Sequence, residues 1–572
     1  MYWPRKLNRR ELSLISEEFI EEILNGLCNN NLKIFNLHKL NTKELGLMFR
    51  WSLYVTSNIF IERVSRVMTY KDANFRDITE KYILNYKLES HEVIFNLYNN
   101  YTFNNNLLNL IYNIIYTKKI EEKDFEKFIL FNDYASDIGK KLTLKNKIKN
   151  LKNLIINKKY KSSYIYDAYH QLNSVFPKKN LFIEMSYEKS NVDVVSRKVI
   201  REIVFNISIS LMKKLNINIS DEKISLLSNI FAKLVDYSLP LSLIENLSKR
   251  ITFYDKIILN NKIDKIHSAV GYYFNDNIKI FSILSKRKNK NTKLIQHEHG
   301  LNNFISVISK HNNFPDFNKA LSTYHYVDYF IAWGNGKIAD KFLNLEKKTS
   351  MKIINGGNVY LYNIKNSNLN KVNDKNQFSL LFSASPSRDF MANLEEITPE
   401  ENLLHQKKVL HFINLITKKY KNIKAIYKPF VKNINAEILQ YIKKENFSKD
   451  NFKISNENAF NIMKDVDIVL FDTLTTGFGE AVSIGVPAIV YDNKFDYKTI
   501  TNDGKKINDL LHYNNIIFYN EDEGVKTIEL ILKHYNLFYK NSIESIIEFQ
   551  NLLAYPRSKK EFNEILKKNN LI

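Results

Sequence analysis

Asp467-Ile468-Val469-Leu470-Phe471-Asp472-Thr473-Leu474-Thr475-Thr476-Gly477-Phe478-Gly479-Glu480-Ala481 continues through Gly485-Val486-Pro487 to a second apolar run, Ala488–Tyr491. It reads as a buried strand, a turn bearing hydroxyls and glycines, a short helix and another buried strand. An apolar run bounded by turn residues is how a parallel strand looks when helices cover both faces. The turn follows the carboxyl end of its strand, where open α/β sheets bind ligands. Thr475, Thr476, Gly477 and Gly479 offer hydroxyls and unobstructed N–H groups at a helix N-terminus, which suits a phosphate. Glu480, one turn into that helix, is placed to accept hydrogen bonds from a ribose. The alternative is an ordinary strand–turn–helix unit whose threonines cap the helix and whose glycines permit close packing.

Working outward, the same alternation fills the last 200 residues. Strands are expected at Ser379–Ser383, Lys424–Tyr427, Phe452–Ser455 and Asp467–Phe471, with helices Glu401–Tyr420, Ala436–Lys443 and Ala459–Lys464 between them. A polar stretch, Asn363–Gln377, reads as a linker. Before it lies a second alternating region: strands Tyr164–Ala168, Leu181–Met185, Lys265–Tyr272, Thr292–His297, Tyr329–Trp333 and Met351–Ile354, with helices Val194–Leu215, Ile224–Leu247, Asn275–Ser285 and Lys337–Leu345. Strands separated by helices argue for parallel sheets. Residues from about 8 to 155 carry apolar groups at helical spacing, with Leu32–Leu37 either a strand or a helix end. The expectation is an α/β protein with a mostly helical region at 1–160. Two Rossmann-like domains, 161–370 and 371–572, would follow and face a cleft.

The second polar cluster is Gln296-His297-Glu298-His299-Gly300, at the carboxyl end of Lys293-Leu294-Ile295. If the strand continues that far, His297 and His299 share one face and Glu298 takes the other. Two histidines without a third ligand at recognisable spacing fit a metal poorly. General acid/base work fits better, because imidazole titrates near neutral pH. His299 and then His297 are the candidates, with Glu298 as base or orienter; the competing reading is a polar loop with one histidine held by backbone. Ser385 and Arg388, in the loop after strand Ser379–Ser383, and Lys428, at the end of its own strand, would extend an anion site. Asp465-Val466-Asp467 resembles a metal-binding pair but precedes its strand, on the opposite edge. Asn355-Gly356-Gly357-Asn358 is a turn near the cleft without dinucleotide-fingerprint spacing, and P-loop, G-x-S-x-G and kinase signatures are absent.

At 572 residues the chain exceeds one core and implies two or three domains. One cysteine, Cys28, excludes an internal disulfide and a cysteine-based zinc site. No apolar run reaches the roughly 18 residues of a membrane span. The start, Met1-Tyr2-Trp3-Pro4-Arg5-Lys6, lacks the apolar core of a secretory signal, so a cytoplasmic location is expected. A net charge of +23 raises nucleic acid, anionic membrane and acidic substrates as partners. Its lysines are dispersed among asparagines and isoleucines, a bias an AT-rich coding sequence produces, so no nucleic-acid partner is expected. The cluster Ser285–Lys290 reads as a solvated loop, with peripheral contact at an anionic inner-membrane surface as its alternative.

Three elements carry a resemblance: Gln296-His297-Glu298-His299-Gly300, then Ala332-Trp333-Gly334, and Asp472 through Pro487. Together, with the early stretch Leu37–Tyr70, they resemble transferases of bacterial surface-polysaccharide and O-antigen biosynthesis. These are relatives of GT-B glycosyltransferases and of capsule-type Kdo transferases. The resemblance implies a GT-B-like fold. It also implies transfer of a sugar from a nucleotide-activated donor, a CMP- or NDP-sugar, to a cell-surface polysaccharide or lipid-linked glycan, with no cofactor beyond that substrate and no bound metal. Thr475-Thr476-Gly477 would hold donor phosphate, Glu480 the ribose or a nearby hydroxyl, and His299 would face the acceptor. Relatives often carry Lys-Pro-His where this chain has Lys428-Pro429-Phe430, and the inserted Glu298 shifts the histidine match by two positions. A CDP-polyol-type phosphotransferase on the same scaffold and a non-catalytic glycan- or partner-binding module are the alternatives.

Overall fold

A computed structural model describes residues 9–30, 32–69, 80–116, 121–135, 163–165, 185, 191–215, 218–259, 263–300, 326–335, 351–365, 377–386, 399–430, 436–493 and 502–572. The expected architecture is present: a largely helical first region and two parallel sheets. Arg388, the expected helix Lys337–Leu345 and most of the expected strand Leu181–Met185 lie outside the described residues.

Helix Thr42–Thr69 is the axis of the helical region. Its residues are buried almost continuously from Leu45 to Val67. A helix buried on every side is enclosed by others: Arg9–Asn29, Ser90–Asn99, Tyr101–Tyr116 and Asp221–Ser238 pack on it, and Val194–Lys214 packs on the first and last of these. The last two, grouped by sequence with the first α/β unit, thus belong by packing to the helical region. The region is also not purely helical: β1 (Tyr82–Tyr86) and β2 (Ile129–Ala135) form a parallel pair. Its buried charges are paired, as burial requires. The Arg197 guanidinium contacts Glu245 at 2.7 and 2.8 Å and Asp236 at 3.3 Å, and stacks 4.6 Å over Tyr86.

The first sheet contains β3 (Ser163–Ile165), β4 (Lys265–Ser268), β5 (Lys293–His297), β6 (Tyr329–Ala332) and β7 (Lys352–Asn355), parallel and in simple sequential order. Strand β4 stops four residues earlier than expected, because Ser268 Oγ accepts the Gly271 N–H and starts a helical turn. Helix Asp221–Ser238 likewise ends ahead of Pro240, which cannot donate to the helical ladder. The second sheet contains β8 (Phe378–Ser383), β9 (Ile423–Lys428), β10 (Phe452–Ile454), β11 (Ile468–Phe471), β12 (Ala488–Tyr491) and β13 (Ile517–Phe518). Its order is β10-β9-β8-β11-β12-β13, all parallel. Renumbered within the sheet this is 3-2-1-4-5-6, the doubly wound order whose direction reverses between its first and fourth strands.

The chain then returns to the first sheet. Helix Glu521–Leu553 leaves helical geometry at His534 (φ −142°, ψ 50°) and ends beside β6, where Tyr555 N–H donates to Trp333 O at 2.9 Å. A β-carbon at Gly334 would collide with the Leu552 carbonyl, so this glycine is required by the crossing. Helix Lys559–Lys568 follows. Its Phe562 and Leu566, with Leu571, form a core with Ile295, Ile331 and Ile354 of the first sheet. Residues grouped by sequence with the second unit therefore complete the first.

The basic cluster at 285–290 is the end of helix Asp276–Lys288 rather than a free loop. Lys286 pairs with Asp328 and Arg287 with Glu44, each at 2.6 Å. Among the described residues no helix is long and apolar enough to cross a membrane.

Candidate active site

The reversal point of the second sheet lies between β8 and β11, and two carboxylates staple these strands at opposite ends. At the amino edge Asp467 Oδ2 accepts from Ser379 N–H at 2.9 Å and from its hydroxyl at 2.7 Å. That settles the Asp465-Val466-Asp467 segment as strand-starting scaffold. At the carboxyl edge buried Asp472 accepts from Ser385 N–H at 2.9 and 3.0 Å and from its hydroxyl at 2.8 Å, with Gln406 Nε2 at 3.3 Å. Burial raises the Asp472 pKa, against the hydrogen bonds from Ser385. His405 Nε2 reaches the carbonyls of Asp472 at 2.9 Å and Tyr491 at 2.8 Å, tying β11 to β12. Ser385 is thus positioned by Asp472, a residue whose role was not singled out from sequence.

Thr475 precedes helix Thr476–Ser483 in extended geometry (φ −136°, ψ 174°), and its side chain makes no capping hydrogen bond. The capping alternative for this hydroxyl is not what the structure adopts. Gly477 packs tightly: an added β-carbon would lie 3.1 Å from Phe471 and 3.4 Å from Met463. Lys428, in register with Ser383 on the neighbouring strand, ends β9 on the same edge. Its ammonium donates to the Pro429 carbonyl, and partial burial lowers its pKa. Phe430 beside it is 61% exposed. Ser385, Lys428, Thr475, Thr476 and Gly477 therefore share one sheet edge at the reversal point.

The carboxyl edge of the first sheet faces this one. A β-carbon on Gly300 would stand 3.1 Å from Thr476 Oγ1. From helix Val359–Lys365, which follows β7, Tyr360 donates its hydroxyl proton to Glu480 Oε1 at 3.0 Å. Burial raises the Glu480 pKa and the Tyr360 bond pulls it back down.

Of the histidine cluster, His299 is exposed beyond the end of β5 and next to Gly300. His297 is a correction to the expectation of a crevice-facing base. Its ring is buried on the opposite face of the sheet, with Nε2 3.0 Å from His267 Nδ1 and Phe562 nearby. His267 Nε2 in turn donates to the Leu571 carbonyl at 3.1 Å. Burial lowers His267 to about 3 and pushes His297 far below the usual imidazole range, so both are neutral core residues. Glu298 is buried too. Its N–H extends the ladder to Ile331 O, its Oε2 accepts the Trp333 N–H at 2.6 Å, and its Oε1 has no hydrogen-bond partner among the described residues. Desolvation raises its pKa well above the carboxylate range. Gln296, on the same face, donates to Tyr273 OH at 2.6 Å. Sequence alternation separated the faces correctly, but both are buried, and the His297 face is covered by the returning helix Lys559–Lys568.

Tyr360 and Gln406 went unnoticed in the sequence. The signal available for Tyr360 was its place two residues after the Asn355–Asn358 turn, at a strand's carboxyl end; Gln406 had none.

No curated protein matches the chain. Among solved structures, TarM matches at 15% identity over 57% of this chain and 58% of its own, with a TM-score of 0.32. The catalytic domain of Arabidopsis thaliana starch synthase IV, bound to ADP and acarbose, matches at 11% identity over 57% of this chain and 78% of its own (TM-score 0.29). A Thermobaculum terrenum O-GlcNAc transferase variant matches at 8% identity over 97% of both chains (TM-score 0.31). The chain spans about 58% of TarM's length. At such scores none of these structures lends residue roles. The model of the LIC12162 family transferases matches residues 46–536, taking in the helical axis, both sheets and their facing edges. The chain belongs to the LIC12162 family of transferases.

Proposed function

We propose that this transferase is a glycosyltransferase that moves a sugar from a CMP- or NDP-sugar to a cell-surface polysaccharide or lipid-linked glycan. The observation that carries the reading is the apposition of Gly300 to Thr476. It brings the exposed His299 to the turn at the reversal point of a doubly wound sheet, the place where such sheets bind nucleotides. In this reading the second unit takes the donor. Thr475, Thr476 and the Gly477 N–H receive its phosphate, with Lys428, Ser385 and Arg388 adding charge and hydrogen bonds, and Glu480 receives the ribose hydroxyls. These groups neutralise the leaving phosphate as the sugar bond breaks. The first unit takes the acceptor, with His299 exchanging a proton with its hydroxyl. Peripheral contact with the inner face of the cytoplasmic membrane belongs to this reading, since lipid-linked acceptors are met there.

The test is thermal stabilisation by CMP, UDP, GDP, ADP and CDP. A ligand at ~100 times its dissociation constant adds about 2.7 kcal/mol to the folded state. Selective stabilisation by one nucleotide, weakened in Glu480→Ala, is the expected result. A flat response to all five overturns the donor site.

A further inference from the structure

We propose that Tyr360 of the first unit is a positioning residue for the donor, holding the Glu480 carboxylate in the orientation that a ribose diol meets. The inference rests on the donor-site reading above and adds a residue from the opposite unit to it.

Glu480 lies on helix Thr476–Ser483, one turn from the phosphate-binding end, and helix Val359–Lys365 packs directly against it. The 3.0 Å bond engages Glu480 Oε1. An ionised carboxylate has about four lone-pair sites, so one neutral donor leaves capacity for diol hydroxyls. A glutamate side chain has three rotatable bonds, and fixing it before the ligand arrives removes an ordering cost from binding. The Tyr360 ring lies 6.2 Å from that of Phe460, over which Lys464 Nζ stands 4.4 Å from the centroid. A residue from the first unit thereby sets the geometry of a group in the second, so the donor site is complete only while the two edges are docked.

The bond also has a protonic consequence. Glu480 accepts diol hydroxyls as a carboxylate, so nucleotide binding declines as pH falls through its pKa. Burial raises the pKa of this carboxyl, and the hydrogen bond from Tyr360 lowers it. Deleting the phenol hydroxyl removes the lowering contribution and moves that decline to higher pH.

The experiment is calorimetric titration of the full chain with whichever of UDP, GDP, ADP, CDP or CMP stabilises it, from pH 5 to 8, for wild type, Tyr360→Phe and Glu480→Ala. Tyr360→Phe keeps the ring packed and is expected to weaken binding about three- to tenfold at neutral pH, with the acid decline displaced upward. A Tyr360→Phe protein with wild-type affinity and an unmoved decline overturns the inference, while weakened binding by Glu480→Ala in the same series leaves the donor site standing. A purely structural contribution by Tyr360 lowers the melting temperature without displacing the decline, and that result also overturns it. Absence of nucleotide binding by wild type removes the donor reading and this inference together.

Discussion

At the carboxyl end of β5 the side chains of Gln296, His297 and Glu298 turn inward while His299 stays exposed, whereas at the end of β11 the polar side chains line the edge between the sheets. His297 and Glu298 are each 2% exposed, one bonded to His267 and the other to the Trp333 backbone. Beyond β11, buried Asp472 spends its hydrogen bonds on the Ser385 loop, and Thr475, Thr476 and Glu480 are left at the edge. The difference follows from topology. The first sheet runs in sequential order without a reversal among its described strands; the returning chain crosses the ends of β6 and β7 at Leu552 and Tyr555, and its last helix packs on the sheet beside Ile295, Ile331 and Ile354. The second reverses between β8 and β11, so the connections from those strands diverge and leave a crevice. A polar motif at a strand end thus contributes to a site only through the side chains that the packed chain leaves uncovered: His299 at the first edge, Thr475, Thr476 and Glu480 at the second.

The strongest way to break this contrast is His299→Ala. Loss of a positioned acid or base slows turnover by roughly 10²- to 10⁴-fold, and nucleotide affinity should stay at its wild-type value. Steady-state kinetics beside calorimetry reads both, and an unchanged kcat would put the first edge outside the chemistry altogether.

Asp472→Ala tests the second edge. It strips an acceptor from the half-buried Ser385 N–H and hydroxyl and from the buried Gln406 amide, and an orphaned group costs about 1–3 kcal/mol, least where it is half-buried. Denaturant unfolding should show a loss of about 2–4 kcal/mol, accompanied by weaker nucleotide binding. Full stability would mean that the staple is dispensable.

The buried histidine pair predicts a pH effect confined to the first edge. Both imidazoles have folded pKa values below their unfolded ones, so the unfolded chain binds the extra protons. Their contribution is intact above about pH 6.5 and is lost as pH falls below it, by at most about 1.4 kcal/mol per pH unit for each group. Melting temperatures of wild type and His297→Gln, followed from pH 8 to 5, should converge toward the acid end. Parallel curves would count against the neutral-pair assignment.

The smallest stability effect is the sharpest discriminator. Thr475 makes no cap bond, so Thr475→Ala should alter stability by no more than about 0.5 kcal/mol. Any fall in nucleotide affinity then reports on the ligand. A stability loss near 1 kcal/mol would restore the capping role.

Much of this was legible in the residues. Apolar runs such as Ile468–Phe471 and Ala488–Tyr491 became central parallel strands at nearly their expected limits, because a strand covered on both faces needs every side chain apolar. The turn at Thr475-Thr476-Gly477 and Glu480 was visible for the same local reason. Less legible was the parallel pair β1–β2: its strands are 42 residues apart and lie among helical patterns. The swap of His297 from candidate base to core residue depended on a helix more than 260 residues away in sequence.

Local patterning by itself determined most strands and helices around the two larger sheets, the strand–helix alternation of the last third and the residues offered at strand ends, since these depend on side-chain periodicity and turn chemistry within a few residues. Tertiary structure alone decided which strand end stays open, that Gly334 marks a chain crossing, and that Tyr360 meets Glu480 from the other unit. Those outcomes depend on contacts between segments far apart in the chain, where the desolvation of a side chain is set by what covers it and not by its neighbours in sequence.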